Sequence, residues 1–111
     1  MDKDKKRRYV VEPAAALRDA LALIEENNHR SVIVAKGDGT VVGTLSDGDA
    51  RKAILDGRML HAPVSDLMTT DFISLRPAKK GEAKAIFKRT HIFLIPVVDA
   101  RMRLVDILEA Y

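Results

Sequence analysis

Apolar and polar residues alternate in two rhythms along the chain, and each rhythm predicts a type of secondary structure. Between residues 14 and 27, Leu17, Leu21 and Ile24 recur at the spacing of one face of an amphipathic helix. Short runs rich in valine and isoleucine, bounded by glycine, asparagine, proline or aspartate, predict strands. The predicted strands are 10–11, 31–35, 41–45, 72–75, 92–98 and 103–108, and the predicted helices are 14–27, 46–56 and 80–90.

The second half of the chain repeats the pattern of the first. A constant shift of 63 positions, with no gap, superimposes elements of the same kind and places Val34 on Val97. Such self-similarity at a fixed spacing indicates a tandem repeat. Further matched pairs are Tyr9 with Phe72, Ala20 with Ala83, Val42 with Val105 and Leu45 with Leu108.

This repeat defines the predicted fold. Each half is too small to bury a sheet face alone, so the halves are expected to pack together. We predict an α/β fold of tandem β-α-β-β-α repeats, 9–60 and 61–111, related by pseudo-twofold symmetry. The second repeat is truncated at its last helix, because the sequence ends at Tyr111, and this suggests a piece of a longer protein.

Composition excludes several classes of protein. The chain has 111 residues, 47% of them hydrophobic and 32% charged, which is ordinary for one globular domain. No apolar run approaches the roughly 20 residues of a membrane span, and the charged start is not a secretory signal. The absence of cysteine excludes disulfides and thiolate metal sites. We therefore expect a cytoplasmic protein without a membrane partner.

The net charge of +3 lies in the first eight residues. They carry five basic and two acidic side chains, whereas the remaining chain carries 14 of each sign. A short, charged terminus predicts a disordered basic tail over residues 1–8. Because the folded part is neutral, nucleic-acid binding through this tail is the less favoured alternative, and no nucleic-acid partner is expected.

Two segments carry a resemblance to a known family. The sequences VVGTLSDGDARKAI, at 41–54, and HIFLIPVVDARMRLVDI, at 91–107, resemble the two halves of a CBS-domain pair, or Bateman module. The family pattern of glycine, two residues, Thr or Ser, two residues and Asp is met by Gly43, Ser46 and Asp49. The DGD followed by Arg51 is most similar to CBS pairs fused to sugar nucleotidyltransferases or sugar-phosphate isomerases.

The turn from strand to helix at Ser46 is the candidate ligand site. A hydroxyl and a carboxylate three residues apart at a helix start lie beside free backbone N–H groups, which favour a phosphate. The resemblance implies that Ser46 contacts phosphate and that Asp49 accepts from ribose hydroxyls. It also implies that Arg30, at the start of the neighbouring strand, reaches a phosphate. Candidate walls of the base pocket are Thr44, Val10 and Val11.

Each of these residues also has a purely structural interpretation. Ser46 could simply cap the helix, Arg30 could be a solvated strand end, and the two valines could be core residues. In the second repeat the shift of 63 places Glu109 at the position of Ser46. A carboxylate there repels phosphate, so no second nucleotide site is expected.

No set of residues indicates catalysis. The D-x-D at Asp47 and Asp49 is better explained by capping than by a divalent metal, the three histidines are widely spaced, and Ser46 has no evident general base. We expect no enzyme and no metal site.

We predict a regulatory module that binds an adenine nucleotide such as AMP or ATP, with or without Mg²⁺, between the repeats. No other cofactor is required, and the module forms a homodimer and modulates a fused or partner enzyme. The alternative is a CBS pair without a ligand that serves as a dimerisation or docking module.

Overall fold

The computed structural model describes all 111 residues and contains four α-helices and two β-sheets. In chain order the elements are α1 Lys3–Tyr9, β1 Val10–Val11, α2 Leu17–Asn27, β2 Ser31–Ala35, β3 Val41–Ser46, α3 Asp47–Leu55, α4 Ala83–Arg89, β4 Leu94–Val98 and β5 Leu104–Glu109, with 3₁₀ turns at Val64–Asp66 and Pro77–Glu82. One sheet has the order β1-β2-β3 and the other pairs β4 with β5. No helix has both the length and the apolar character needed to cross a bilayer.

The predicted tandem repeat is confirmed down to the register of its strands. The two antiparallel hairpins have the same register when one is shifted by 63 positions onto the other, and both shift register at the same place, after Val34 and after Val97. Matching irregularities of this kind mark equivalent positions in the two repeats. The equivalent first and last pairs are Ser31–Ser46 with Leu94–Glu109, and Ala35–Val41 with Val98–Leu104.

The two hairpin turns meet at the pseudo-twofold axis. Thr40 forms an isolated antiparallel bridge with Arg103, its own counterpart at the shift of 63. The two flanking hydrogen bonds are related by the same exchange of repeats. They run from Val41 N to Met102 O at 2.9 Å and from Leu104 N to Gly39 O at 2.8 Å.

The core confirms that the two halves pack against each other. Strand β2 is buried from Val32 to Ala35 and therefore packs on both of its faces. One face packs against α2, and the other contributes to a cluster shared between the repeats. That cluster comprises Tyr9, Ile33, Ala35 and Val41 with Leu94, Val98 and Ile107. Full burial of one such side chain stabilises a fold by roughly 1.5–3 kcal/mol, so this cluster holds the repeats together.

Two helices begin later than the sequence pattern predicts. Residues 13–15 form a turn and a bend and only Ala16 is extended, because the backbone here bonds to the connection between the repeats: Leu17 N donates to Ala62 O at 2.8 Å, and Val64 N donates to Ala15 O at 2.8 Å. The predicted helix 80–90 starts as the 3₁₀ turn at Pro77–Glu82. This turn contains Gly81, whose low helix propensity favours the tighter irregular form.

The first eight residues differ from the predicted disordered tail, because Lys3–Tyr9 forms α1. Asp2 caps the helix by accepting from Asp4 N at 2.9 Å. Tyr9 is fully buried, and Lys5 Nζ lies 3.3 Å from Asp106 Oδ1 on the second repeat. These tertiary contacts supply the stability that so short a helix lacks by itself.

The Asp106 carboxylate makes the stability gained from attaching α1 sensitive to low pH. Partial burial alone raises the pKa of Asp106, but hydrogen bonds from Lys80 and from the Ile107 backbone, and the charge of Lys5, outweigh it and lower the pKa to about 2. The stabilisation by the Asp106 carboxylate is therefore complete above pH 3.8, the ordinary pKa of the group, and is lost as the pH falls through about 2.

We expect Asp106→Asn to lower the free energy of unfolding by about 1–2 kcal/mol at pH 7, since the charge is partly screened by solvent. The difference from wild type should vanish as the pH falls through about 2. Urea unfolding across this range measures it, and Asp71→Asn, at an exposed residue without an ion pair, is the control. A difference that persists at the lowest pH would assign the loss to packing.

Candidate ligand-binding cleft

A cleft of about 400 Å³ opens where the two repeats face each other beside the β3–α3 turn. The first repeat contributes polar and charged side chains, and the second contributes mainly apolar ones. Residues from the first repeat include His29, Arg30, Ser31, Thr44, Ser46, Asp47, Gly48 and Arg51, and those from the second are Ile73, His91, Ile92, Phe93 and Leu94. The cleft thus combines a polar end with an apolar wall, as small-molecule sites usually do.

The β3–α3 turn is fixed by a capping box. Ser46 Oγ accepts from Asp49 N at 3.0 Å, and Asp49 Oδ2 accepts from Ser46 N at 3.0 Å. Thr69 Oγ1 also donates to Asp49 Oδ2 at 3.1 Å. The capping role of Ser46 is therefore confirmed. Asp49 does not line the cleft, because its carboxylate is directed to the turn itself.

The helix start still offers a donor to the cleft. Asp47 N donates to Arg30 O at 2.8 Å, which ties the start of α3 to the start of β2. Gly48 lines the cleft, and its N–H lies in the first turn, where an N–H has no partner within the helix. This donor and the helix dipole favour an anion at this end.

Two arginines make the polar end of the cleft cationic. Arg30 adopts a left-handed backbone conformation, with φ of 63°, and its Cζ lies 5.4 Å from the centroid of the Phe93 ring. Arg51 Nη1 lies 3.3 Å from Asp47 Oδ2, an exposed ion pair that contributes little stability. Because Asp47 is the one carboxylate beside these two arginines, a net positive charge remains available to a phosphate.

The apolar wall of the cleft comes from the second repeat. Val10 and Val11 line a different groove, beside α1. Ile73, the counterpart of Val10 at the shift of 63, lines the cleft instead. The pseudo-twofold axis explains this, because it places the helix start of the first repeat beside the segment of the second repeat that corresponds to β1. The shift was visible in the sequence and, with the correct pairing of repeats, could have identified Ile73.

Of the six predicted site residues, the structure brings three together around the cleft: Arg30, Thr44 and Ser46. The others, Asp49, Val10 and Val11, lie outside its lining. Phe93 and Ile73 were not among the predicted site residues. Phe93 is the counterpart of Arg30 at the shift of 63, so the repeat itself carried the signal.

Protein side chains occupy the corresponding position in the second repeat. Glu109, the counterpart of Ser46, accepts from the Tyr9 hydroxyl at 2.5 Å and lies 3.7 Å from Lys5 Nζ. Tyr9 Oη also lies 3.1 Å from His29 Nδ1, and the Tyr111 ring stacks on His29 with centroids 4.3 Å apart. Protein groups therefore engage Glu109 at the position that corresponds to Ser46.

Comparisons with known proteins agree with this geometry. The CBS domain family matches residues 5–56. A Helicobacter pylori (strain J99) protein of uncharacterized function is 31% identical over 104 residues, covering 92% of this chain and 32% of the relative. Arabinose 5-phosphate isomerase GutQ of Salmonella typhi is 30% identical over 92 residues, covering 82% of this chain and 29% of the isomerase. The chain thus spans about a third of the length of these relatives.

Solved structures extend the likeness to both repeats. CBSX2 of Arabidopsis thaliana, determined in complex with AMP, superimposes with a TM-score of 0.73 at 29% sequence identity. The match covers 95% of this chain and 84% of that one. The repeat in register, the family match and a likeness over nearly the whole length lead to one conclusion: this chain belongs to the CBS-domain family and is a CBS-domain pair.

Proposed function

We propose that the chain is a regulatory module that binds an adenine nucleotide, such as AMP or ATP, in the cleft beside Ser46. One observation carries the proposal: the cleft joins cationic and N–H groups for phosphate to an apolar wall for a base. The AMP complex of CBSX2, a structure of the same fold at 29% identity, supports the choice of an adenine nucleotide. No other cofactor is invoked, and Mg²⁺ would arrive only on the phosphates of ATP.

The polar end of the cleft is the proposed phosphate site. Ser46 Oγ can accept from Asp49 N and still donate its own proton to a phosphate oxygen. Arg30 and Arg51 supply the positive charge, and the guanidinium fork of Arg30 suits a phosphate. Contact of Asp49 with ribose stays a prediction, because in this structure its carboxylate holds the turn that presents Ser46.

The apolar wall is the proposed base site. Ile73 is 39% exposed, and Phe93 presents an aromatic ring beside Arg30. A planar base can pack against such a surface without specific hydrogen bonds. A role for Val10 and Val11 as base contacts also stays a prediction, since both line the groove beside α1.

Regulation follows from the construction of the cleft from both repeats. A nucleotide that touches Ser46 and Phe93 together favours the packing of repeats in which both contacts form, and it shifts the protein toward that packing. A fused or associated enzyme can respond only through this difference in affinity. Because GutQ is a sugar-phosphate isomerase, we propose that class, or a sugar nucleotidyltransferase, as the regulated enzyme, and we assign no catalysis to this chain.

A second candidate function is a dimerisation or docking module without a ligand. Four large apolar side chains at the end of α3 and in the following connection support it: Ile54, Leu55, Met59 and Leu60 are 46–85% exposed. A homodimer is also proposed for the nucleotide-binding module. Nucleotide titration separates the two functions, because only the first predicts binding.

Calorimetric titration with AMP, ADP, ATP and GTP, with and without Mg²⁺, tests the proposal. Unfolding of the protein gives a second measure of binding. An adenine nucleotide at about 100 times its dissociation constant should raise the free energy of unfolding by about 2.7 kcal/mol. Arg30→Asn should weaken binding at least about tenfold, since hydrogen bonds to charged groups contribute about 1.5–3 kcal/mol. Asparagine tolerates the left-handed backbone of Arg30, so the fold should be kept.

The matched control is Arg101→Asn, an exposed residue outside the cleft. It should leave the affinity unchanged. Equal binding by Arg30→Asn and wild type would show that the phosphate does not bind in this cleft. Absence of binding by every nucleotide would favour the docking module.

A further inference from the structure

A second groove, separate from the cleft, lies between α1 and the sheet and has a volume of about 410 Å³. We call it the basic groove, and its cations are Lys3, Lys6, Arg7 and Lys36. One carboxylate, Glu12, also lines it. None of these residues lines the cleft beside Ser46, so the basic groove is an independent feature of the surface.

The helical repeat places three of these cations on one side of α1. Lys3, Lys6 and Arg7 are three and four residues apart, so they share a face. Lys5 and Tyr9 are directed to the second repeat, where they bond to its carboxylates. That attachment holds the cationic face of α1 over the groove. Lys36, from the turn after β2, adds the fourth charge from the sheet side.

The positive charge of the groove is poorly neutralised within the chain. The structure contains eight ion pairs, and none of them involves Lys3, Lys6 or Lys36. Arg7 Nη1 lies 3.9 Å from Asp4 Oδ1, and both side chains are about 80% exposed, so this pair is weak. Four like charges around one depression repel one another, and an anion held among them relieves that repulsion.

We propose that the basic groove binds a compact anion with two or more linked phosphates. Lysine ammonium groups bind phosphate as point charges, and several cations around a small volume match several phosphate charges. Half-buried Val10 and Val11 line the groove without adding charge, so Glu12 is the one acidic side chain that faces four cations there. The site would let the chain respond to a second phosphate ligand independently of the cleft.

A compact anion fits the groove better than a macromolecule does. Nucleic acid needs a basic stripe along the surface, whereas beyond residue 8 the chain carries 14 basic and 14 acidic side chains. Lying on a membrane requires an apolar helix face opposite the charges. The face of α1 opposite its cations instead packs against the protein through buried Tyr9.

Calorimetric titration with inorganic tripolyphosphate at low salt tests the proposal. With AMP saturating the cleft, we expect one further site per chain, tighter binding than for orthophosphate and a marked loss of affinity with added salt. Lys6→Gln combined with Lys36→Gln should weaken binding about tenfold, as two exposed ionic contacts are removed. Lys6→Gln combined with Lys36→Gln should bind AMP like wild type, which separates this site from the nucleotide cleft.

The matched control is Lys84→Gln combined with Lys88→Gln, which removes the same charge from exposed positions on α4. Equal weakening by both double variants would reduce the effect to overall charge and overturn the proposal. Absence of tripolyphosphate binding would also overturn it. So would binding only to a 20-nucleotide RNA or to vesicles containing 10% phosphatidylinositol bisphosphate, because the partner would then be a macromolecule or a membrane.

Discussion

Replacing Gly43 with alanine is expected to lower the free energy of unfolding by about 3 kcal/mol, at the upper end of overpacking effects. The connection between the repeats crosses β3 at this point, where Thr44 N donates to Thr69 O at 3.0 Å and Thr69 N donates to Thr44 O at 2.8 Å. A Cβ on Gly43 would stand 2.7 Å from Met68 Sδ and 2.9 Å from Thr69 O. The Met68 side chain can move aside, but the Thr69 backbone cannot move without loss of those two bonds.

The control for this steric effect is Gly81→Ala. A Cβ at Gly81 meets no atom within 4 Å, and its backbone is not left-handed. Alanine there should be neutral or slightly stabilising, because it reduces the freedom of the unfolded chain. Urea unfolding of both variants measures the difference. Equal stability of the two would show that the crossing at β3 is looser than this structure indicates.

Replacing Tyr9 with phenylalanine is the second substitution with a large expected effect, a loss of about 2 kcal/mol. The ring is fully buried, and its hydroxyl donates to Glu109 Oε2 at 2.5 Å and lies 3.1 Å from His29 Nδ1. Phenylalanine keeps the packing but removes a hydrogen bond to a carboxylate. Tyr111→Phe is the matched control, since that hydroxyl contacts Asn28 O from a side chain that is 68% exposed.

Alkaline pH supplies a second readout of the Tyr9 network. Burial, the hydrogen bond to Glu109 and the charge of Glu109 raise the pKa of Tyr9 from 10.0 to about 12. The unfolded chain therefore ionises first, and the stability due to Tyr9 is complete below pH 10 and lost as the pH rises through about 12. Tyr9→Phe should be less sensitive to pH than wild type in this window. Parallel pH profiles of the two proteins would contradict the role of the hydroxyl.

The sequence predicted those features of the fold that depend on local periodicity. The apolar runs of β2 and β4 and the constant shift of 63 were sufficient for the tandem repeat. The structure adds that the register irregularity is repeated as well, and that the predicted strand 72–75 is reduced to a single bridge between Leu75 and Val97. The turn at Ser46 was also predicted, because a hydroxyl and a carboxylate three residues apart form a local capping signal.

Features that depend on distant contacts could not be predicted in this way. Helix α1 is held by Lys5 and Tyr9, whose partners Asp106 and Glu109 lie 101 and 100 residues further along the chain. Composition alone therefore predicted a disordered tail. Sequence alone also could not place Val10 relative to the cleft, since only the packing of the repeats shows that Ile73 lines the same cleft as Ser46.

The most direct test of nucleotide binding beside Ser46 is a titration of the ¹⁵N-labelled protein with AMP, followed by amide chemical shifts. We expect the largest changes at Arg30, Ser46 and Gly48 in the first repeat and at Ile73 and Phe93 in the second. Amides of the basic groove, such as those of Lys6 and Lys36, should change little. Unchanged spectra at saturating AMP, or changes confined to the basic groove, would contradict the account.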